Sequence, residues 1–175
     1  YKRQDVCQEK KTSRLLFLMR EVKDYILNWI DEFVSVKNDK LNNWAPCPYA
    51  RQAVLDDKID WFEISSNIAE NLVHKEWEDS CDLCIFYIPN VTSEDLSYQV
   101  ELANCFLIPN DFVCLEDHPD DIEEVNGVIM NNGKYPLVFK QKLSNLQMFS
   151  DILWRKGYYD VWSEQNLEDV VKWRQ

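Results

Sequence analysis

The chain has 175 residues, 46% of them apolar and 29% charged, and a net charge of −12. One domain of that length buries about 70% of the surface its unfolded chain would expose. Three glycines and six prolines exclude collagen-like and low-complexity chains, and an aromatic content of 13% excludes disorder. No apolar run approaches the roughly 18 residues of a membrane-spanning helix. With 31 carboxylates diluting 19 lysines and arginines, no basic stripe is left for phosphate, so nucleic acid is excluded as a partner.

Residues 1–14 read as a polar N-terminal extension, and 15–175 as a single α/β domain. Leu15-Leu16-Phe17-Leu18-Met19 mimics a secretion signal, but it is short and Arg20-Glu21 ends it without a small-residue cleavage site. Met19 is a candidate natural start. Leu15, Leu18, Val22, Ile26, Trp29, Ile30 and Phe33 repeat at helical spacing, which predicts a long first helix ending near Val36. Asn38 to Arg51 reads as irregular, with Pro46 and Pro48 bracketing Cys47. Ile59 to Ile64 is a short strand, after which Ser65 or Ser66 caps a helix carrying Ile68, Leu72 and Val73.

Leu83 to Ile88 is a continuous apolar run of strand length. Pro89-Asn90 ends it, and Thr92-Ser93-Glu94-Asp95 opens a helix whose inner stripe is Leu96, Val100, Ala103 and Leu107. Phe112 to Leu115 is the third strand. A carboxylate-rich loop then runs to Lys134, and Tyr135 to Phe139 is the fourth strand. Ser144 with Gln147 has the pattern of a capping box, opening a helix closed by Gly157, and a last short helix carries Leu167, Val170, Val171 and Trp173. Alternating strands and helices predict a mainly parallel four-stranded sheet flanked by helices.

Cys7, Cys47, Cys81, Cys84, Cys105 and Cys114 are too scattered for a disulfide framework, and three of them lie inside apolar runs. A reducing, cytoplasmic setting follows, with the sequon Asn90-Val91-Thr92 unused. Ligands of open α/β sheets sit outside the carboxyl ends of the strands, which places Asn90 and the segment Glu116 to Asp120 near a site. Six carboxylates lie within residues 116–124 around His118. This is either solvated acid or a metal loop.

No metal ligand set is assigned and no cofactor is named. His118-x-Asp120 begins like an iron facial triad, but no histidine follows it. Cys81-Asp82-Leu83-Cys84 has zinc-knuckle spacing, yet it leads into a strand, where positions three apart point to opposite faces. Three glycines cannot build a phosphate-binding loop. In the Pro46-Cys47-Pro48-Tyr49-Ala50-Arg51 segment the prolines fix the backbone around Cys47, and Arg51 would favour its thiolate. The plainer reading is a half-buried cysteine in a rigid loop over Tyr49.

Three segments, within roughly residues 20–160, resemble in order the signatures of a bacterial domain family of unknown function. The family's Cys-Pro-Phe-Ala loop is similar to Pro46-Cys47-Pro48-Tyr49-Ala50-Arg51. Its Phe-His-Pro-Asp-Tyr segment is similar to Asp117-His118-Pro119-Asp120-Asp121. Its Asn-Arg-Ser-Pro-Tyr-Pro segment is similar to Asn131-Asn132-Gly133-Lys134-Tyr135-Pro136. The family's arginine falls on Asn132, a departure that only Lys134 can partly offset. The resemblance implies that Cys47, His118, Asp120 and Tyr135 converge, and brings no activity with it.

Three functional expectations follow. The first is a small-molecule enzyme with Cys47 as nucleophile or redox thiol, His118 as general base and Asp120 orienting it. Tyr49, Arg51, Asn90, Lys134 and Tyr135 would bind the ligand. The second is a non-catalytic, acidic, aromatic-rich protein binding a basic protein partner or its own copy. The third is a metal-dependent enzyme using the His118 loop.

Overall fold

The computed structural model describes residues 17–78 and 80–174, so the expected 1–14 extension and Cys7 lie outside the described residues. Helix α1 spans 17–29 and continues through a π-helical turn, Ile30–Val34. Its buried residues Val22, Ile26, Ile30 and Val34 recur every four positions. At 3.6 residues per turn such a stripe runs ahead of the helix by about 40° per step. The wider last turn holds Val34 on the buried side.

The remaining elements are α2 (Ala50–Leu55), β1 (Ile59–Glu63), α3 (Ile68–His74), β2 (Leu83–Tyr87), α4 (Ser93–Leu107) and β3 (Phe112–Asp117). After these come β4 (Glu124–Val125), β5 (Val128–Ile129), β6 (Leu137–Lys142), α5 (Leu143–Arg155) and α6 (Glu164–Val170). The fold is α/β with a four-stranded sheet, as the alternation predicts. The sheet is mixed rather than mainly parallel, with order β1-β2-β6-β3. β1 and β2 are parallel, and β6 runs antiparallel between β2 and β3. The reason lies in the 118–136 connection, which contains no helix to carry the chain back across the sheet, so β6 enters from the end where β3 leaves.

Within that connection β4 and β5 form a hairpin around Asn126-Gly127, both at positive φ (49° and 77°). Asn-Gly is the preferred pair for a two-residue turn that matches strand twist. Two expected caps are replaced. Asn67, not a serine, precedes α3, and Ser144 binds the Asp111 carboxylate through its amide (2.8 Å) and hydroxyl (2.7 Å). Thr92 does cap α4, accepting from the Asp95 amide at 3.2 Å. Ser163 and Asn166 form a capping box on α6.

Two cores flank the sheet. On one face Cys84, Phe86, Ile88, Cys114 and Val138 pack under α3 and α4. On the other Ile85, Tyr87, Leu137 and Tyr135 pack under α1. Helices α3 and α4 therefore cover the same face. The five described cysteines are free, and among the described residues no helix is long and apolar enough to cross a membrane.

The edge strand β3 is closed by a side chain. Asn104 of α4 donates to the Cys114 carbonyl (2.9 Å) and accepts from the Cys114 amide (2.8 Å), standing in for a neighbouring strand. Asn104→Ala strips two buried backbone groups of their partners and should cost about 2–4 kcal/mol in urea unfolding. An unchanged midpoint would mean that the contact carries no stability.

Candidate functional site

The residues singled out by sequence lie on four segments of the chain, 47–51, 90, 118–120 and 134–135. Cys47 sits ahead of α2, its amide bonded to the Val34 carbonyl at 3.0 Å. Although the residue reaches solvent, protein packed round the thiol raises its pKa through desolvation, more than the Tyr49 and Ala50 amides lower it. Tyr158, whose hydroxyl donates to the Pro46 carbonyl, lies beside it. Tyr49 stacks on Phe149 with ring centres 4.3 Å apart, while Arg51 is exposed on α2.

His118 follows β3 and is buried. Its Nε2 lies 3.1 Å from the Val91 carbonyl, and its Nδ1 is 3.1 Å from the Asp120 amide. A carbonyl can only accept and an amide can only donate, so this geometry selects the neutral ring with the proton on Nε2. Asp120 is exposed, with its carboxylate 3.9 Å from Nδ1, so it meets the ring through its backbone. No hydrogen bond joins Cys47 to His118 among the described residues.

Two of the resembling segments do meet. Asp117, buried at the end of β3, accepts from Asn131 Nδ2 (3.1 Å), the Asn132 amide (3.1 Å) and Asn132 Nδ2 (2.9 Å). Asn132 also donates to the Tyr135 carbonyl and accepts from the Lys134 and Tyr135 amides. The Asn132 amide and side chain are thereby used to fold the loop, and its carbonyl accepts from the Tyr25 hydroxyl of α1 at 2.7 Å. Beyond it, Tyr135 makes edge contacts with Tyr25 and Tyr87, and Lys134 lies over the Tyr25 and Tyr135 rings, 3.5 Å from Glu21.

Asn90 lines a cavity of about 410 Å³ at the carboxyl ends of β1 and β2 with Ser65, Asn67, Asp95 and Gln99. It is open and polar. A deep crevice in an open sheet forms where adjacent crossovers leave on opposite faces, and here α3 and α4 share one.

Another constellation was partly hidden from the sequence. Strand register aligns Asp60 with Cys84, Cys84 with Lys140, and Lys140 with Cys114. Directly paired residues share a face, so these four form one row across the whole sheet. Cys81 joins it, with its Sγ 3.8 Å from that of Cys84. Cys81 lies in the turn before β2 rather than on it, so the opposite-face argument from strand spacing does not apply. Lys140 is buried and donates to the Leu72 (2.8 Å) and Lys75 (3.1 Å) carbonyls at the end of α3. Burial lowers its pKa, raises that of Cys84, and pushes Cys114 up to about 12. The Cys-x-x-Cys spacing was the only linear signal of this row.

No family model, characterised protein or solved structure matches the chain.

Burial raises the carboxyl pKa values of Glu63, Glu116 and Glu123. A raised folded-state value means that their contribution to stability is complete below the unfolded value of about 4.3 and is lost as pH rises through the folded value. The urea midpoint should therefore be higher near about pH 5 than near about pH 7.5, and Glu123→Gln should narrow the gap. Equal midpoints at the two values would contradict this assignment. The Cys47 alkylation rate, read by peptide mass spectrometry, should rise only above the ordinary thiol range and stay the same in His118→Ala. A fall in that variant would instead couple the two residues.

Proposed function

We propose that the protein is an acidic interaction module that docks a basic, amphipathic segment of a protein partner on the outer face of α4. The observation that carries this reading is a stripe of exposed apolar residues, Tyr98, Leu102 and Phe106, four apart and 61%, 42% and 59% exposed. Residues at i, i+4 and i+8 stand on one side of a helix, spanning about 12 Å. Glu94, Asp95 and Glu101 share the helix, which contains no basic residue.

The charge along this part of the chain is one-sided. Between Lys75 and Lys134 the chain has fourteen carboxylates and neither lysine nor arginine. Such a field attracts cations and repels phosphate and anionic lipid. Aromatic and aliphatic side chains supply the anchor, and the carboxylates supply steering and orientation. Exposed Trp154 and Trp173 fit the same class of protein.

A thiol enzyme built on Cys47 and His118 has less support. Its base has both ring nitrogens occupied, and its thiol is held neutral by burial. A metal enzyme on the His118 loop also has less, because Asp117 is occupied by asparagine donors.

Binding of a lysine- and leucine-rich amphipathic peptide, followed by fluorescence anisotropy, tests the reading. The cationic peptide should bind and weaken with added salt, and its glutamate counterpart should not bind. Tyr98→Ser with Phe106→Ser should weaken binding by at least about tenfold. Binding that these substitutions leave intact would place the contact elsewhere, and no binding would reject the proposal.

A further inference from the structure

At the opposite ends of β1 and β2 from the open cavity, the Asp60 carboxylate and the Cys81 and Cys84 thiols gather with their ligand atoms within 4.8 Å of one another. Cys81 and Cys84 are 7% and 1% exposed. The turn that brings the thiols together is held by main-chain bonds: the Cys81 amide to the Glu78 carbonyl, and the Asp82 amide to the Lys58 carbonyl, both at 2.9 Å. The Lys58 and Asp82 side chains also pair at 3.2 Å. These ties fix the approach of the turn to β1 independently of any ion.

We propose that Asp60, Cys81 and Cys84 bind one zinc-class divalent cation, with a fourth position left to a water or a small ligand. Two sulfurs each about 2.3 Å from a tetrahedral zinc stand roughly 3.8 Å apart. That is the separation observed between Cys81 and Cys84. Two thiols in van der Waals contact have a similar spacing, so the carboxylate completes the argument. A hard oxygen beside two soft sulfurs suits zinc better than calcium, magnesium or copper(I).

Charge supplies the independent support. Two thiolates, one carboxylate and a divalent ion sum to one negative charge in a buried place. Lys140, 3% exposed and next to Cys84 in the row, carries the compensating positive charge. Two of its three protons go to the Leu72 and Lys75 carbonyls, which hold the ammonium on the face that Cys84 shares. Without the ion this lysine is held by the two carbonyls and by the Phe112 ring, whose centre lies 5.3 Å from its Nζ, and no bound anion offsets its charge within the Cys84 and Cys114 row. With it, the row holds balanced charge.

Binding moves no electrons. Each thiol releases its proton to water as its sulfur takes the metal, so two protons leave per ion bound. The ion would clamp β1 to the turn leading into β2, a structural role independent of docking on α4.

The test uses the full chain, reduced and kept anaerobic, titrated with cobalt(II) and then zinc(II). One equivalent of cobalt should give thiolate charge-transfer and tetrahedral ligand-field absorption, which one equivalent of zinc abolishes. Zinc uptake in weak buffer should release two protons per ion. Cys81→Ser and Asp60→Asn should each weaken binding by at least about tenfold. Cys114→Ser, in the same row but outside the ligand set, should keep it. Circular dichroism checks that each variant is folded, and the wild-type spectrum and proton count stand without the variants. A folded wild-type chain that shows no thiolate absorption overturns the proposal, as does Cys81→Ser binding as tightly as wild type.

Discussion

A buried ammonium holds this architecture together. Placing Lys140 in the middle strand of a packed face costs several kcal/mol unless its charge is met. It is met by the carbonyls at the end of α3, where the helix dipole is negative. The contact ties the antiparallel β6 to a helix that lies between two parallel strands. Without it, β6 would carry an uncompensated charge into the core beneath α3 and α4.

The same arrangement determines what kind of surface the protein offers. Two crossovers in the same direction leave both helices on one side, and the cavity at the carboxyl ends of β1 and β2 stays open and polar. What α4 presents outward is an apolar stripe, Tyr98, Leu102 and Phe106, on a helix that contains no basic residue. The Asp117 network on the far side is internally saturated, because asparagine donors satisfy its charge and the loop's amides satisfy the asparagines. Polar residues that cluster in a sequence can thus be spent wholly on holding a loop.

Much of the fold was legible. Periodicity located α1, α4 and all four strands of the sheet, since buried stripes and apolar runs are local properties. The direction of β6 was not, because alternation suggests parallel strands and the 118–136 segment has no helical period to question. Asn126-Gly127 was a local hairpin signal there, masked by the carboxylates around it. Caps were less legible, because Ser144 can satisfy α5 or Asp111, and a neighbour distant in sequence decides. The candidate sites were least legible. Cys47 and His118 do bond chain neighbours, the Tyr49, Ala50 and Asp120 amides, but Val34, Tyr158 and Val91, which complete their surroundings, come from elsewhere in the chain. The row Asp60, Cys84, Lys140 and Cys114 exists only once register is known.

The Asn104 contact has a consequence for assembly. With one side chain occupying the outer rim of β3, strand addition there would require α4 to lift away. Among the described strands β1 forms the other rim, and it is short and carries Asp60 and Glu63. Two copies meeting through that rim would bring like charges together. The sheet is therefore guarded against polymerisation by different means on its two sides, amide mimicry on one and electrostatic repulsion on the other.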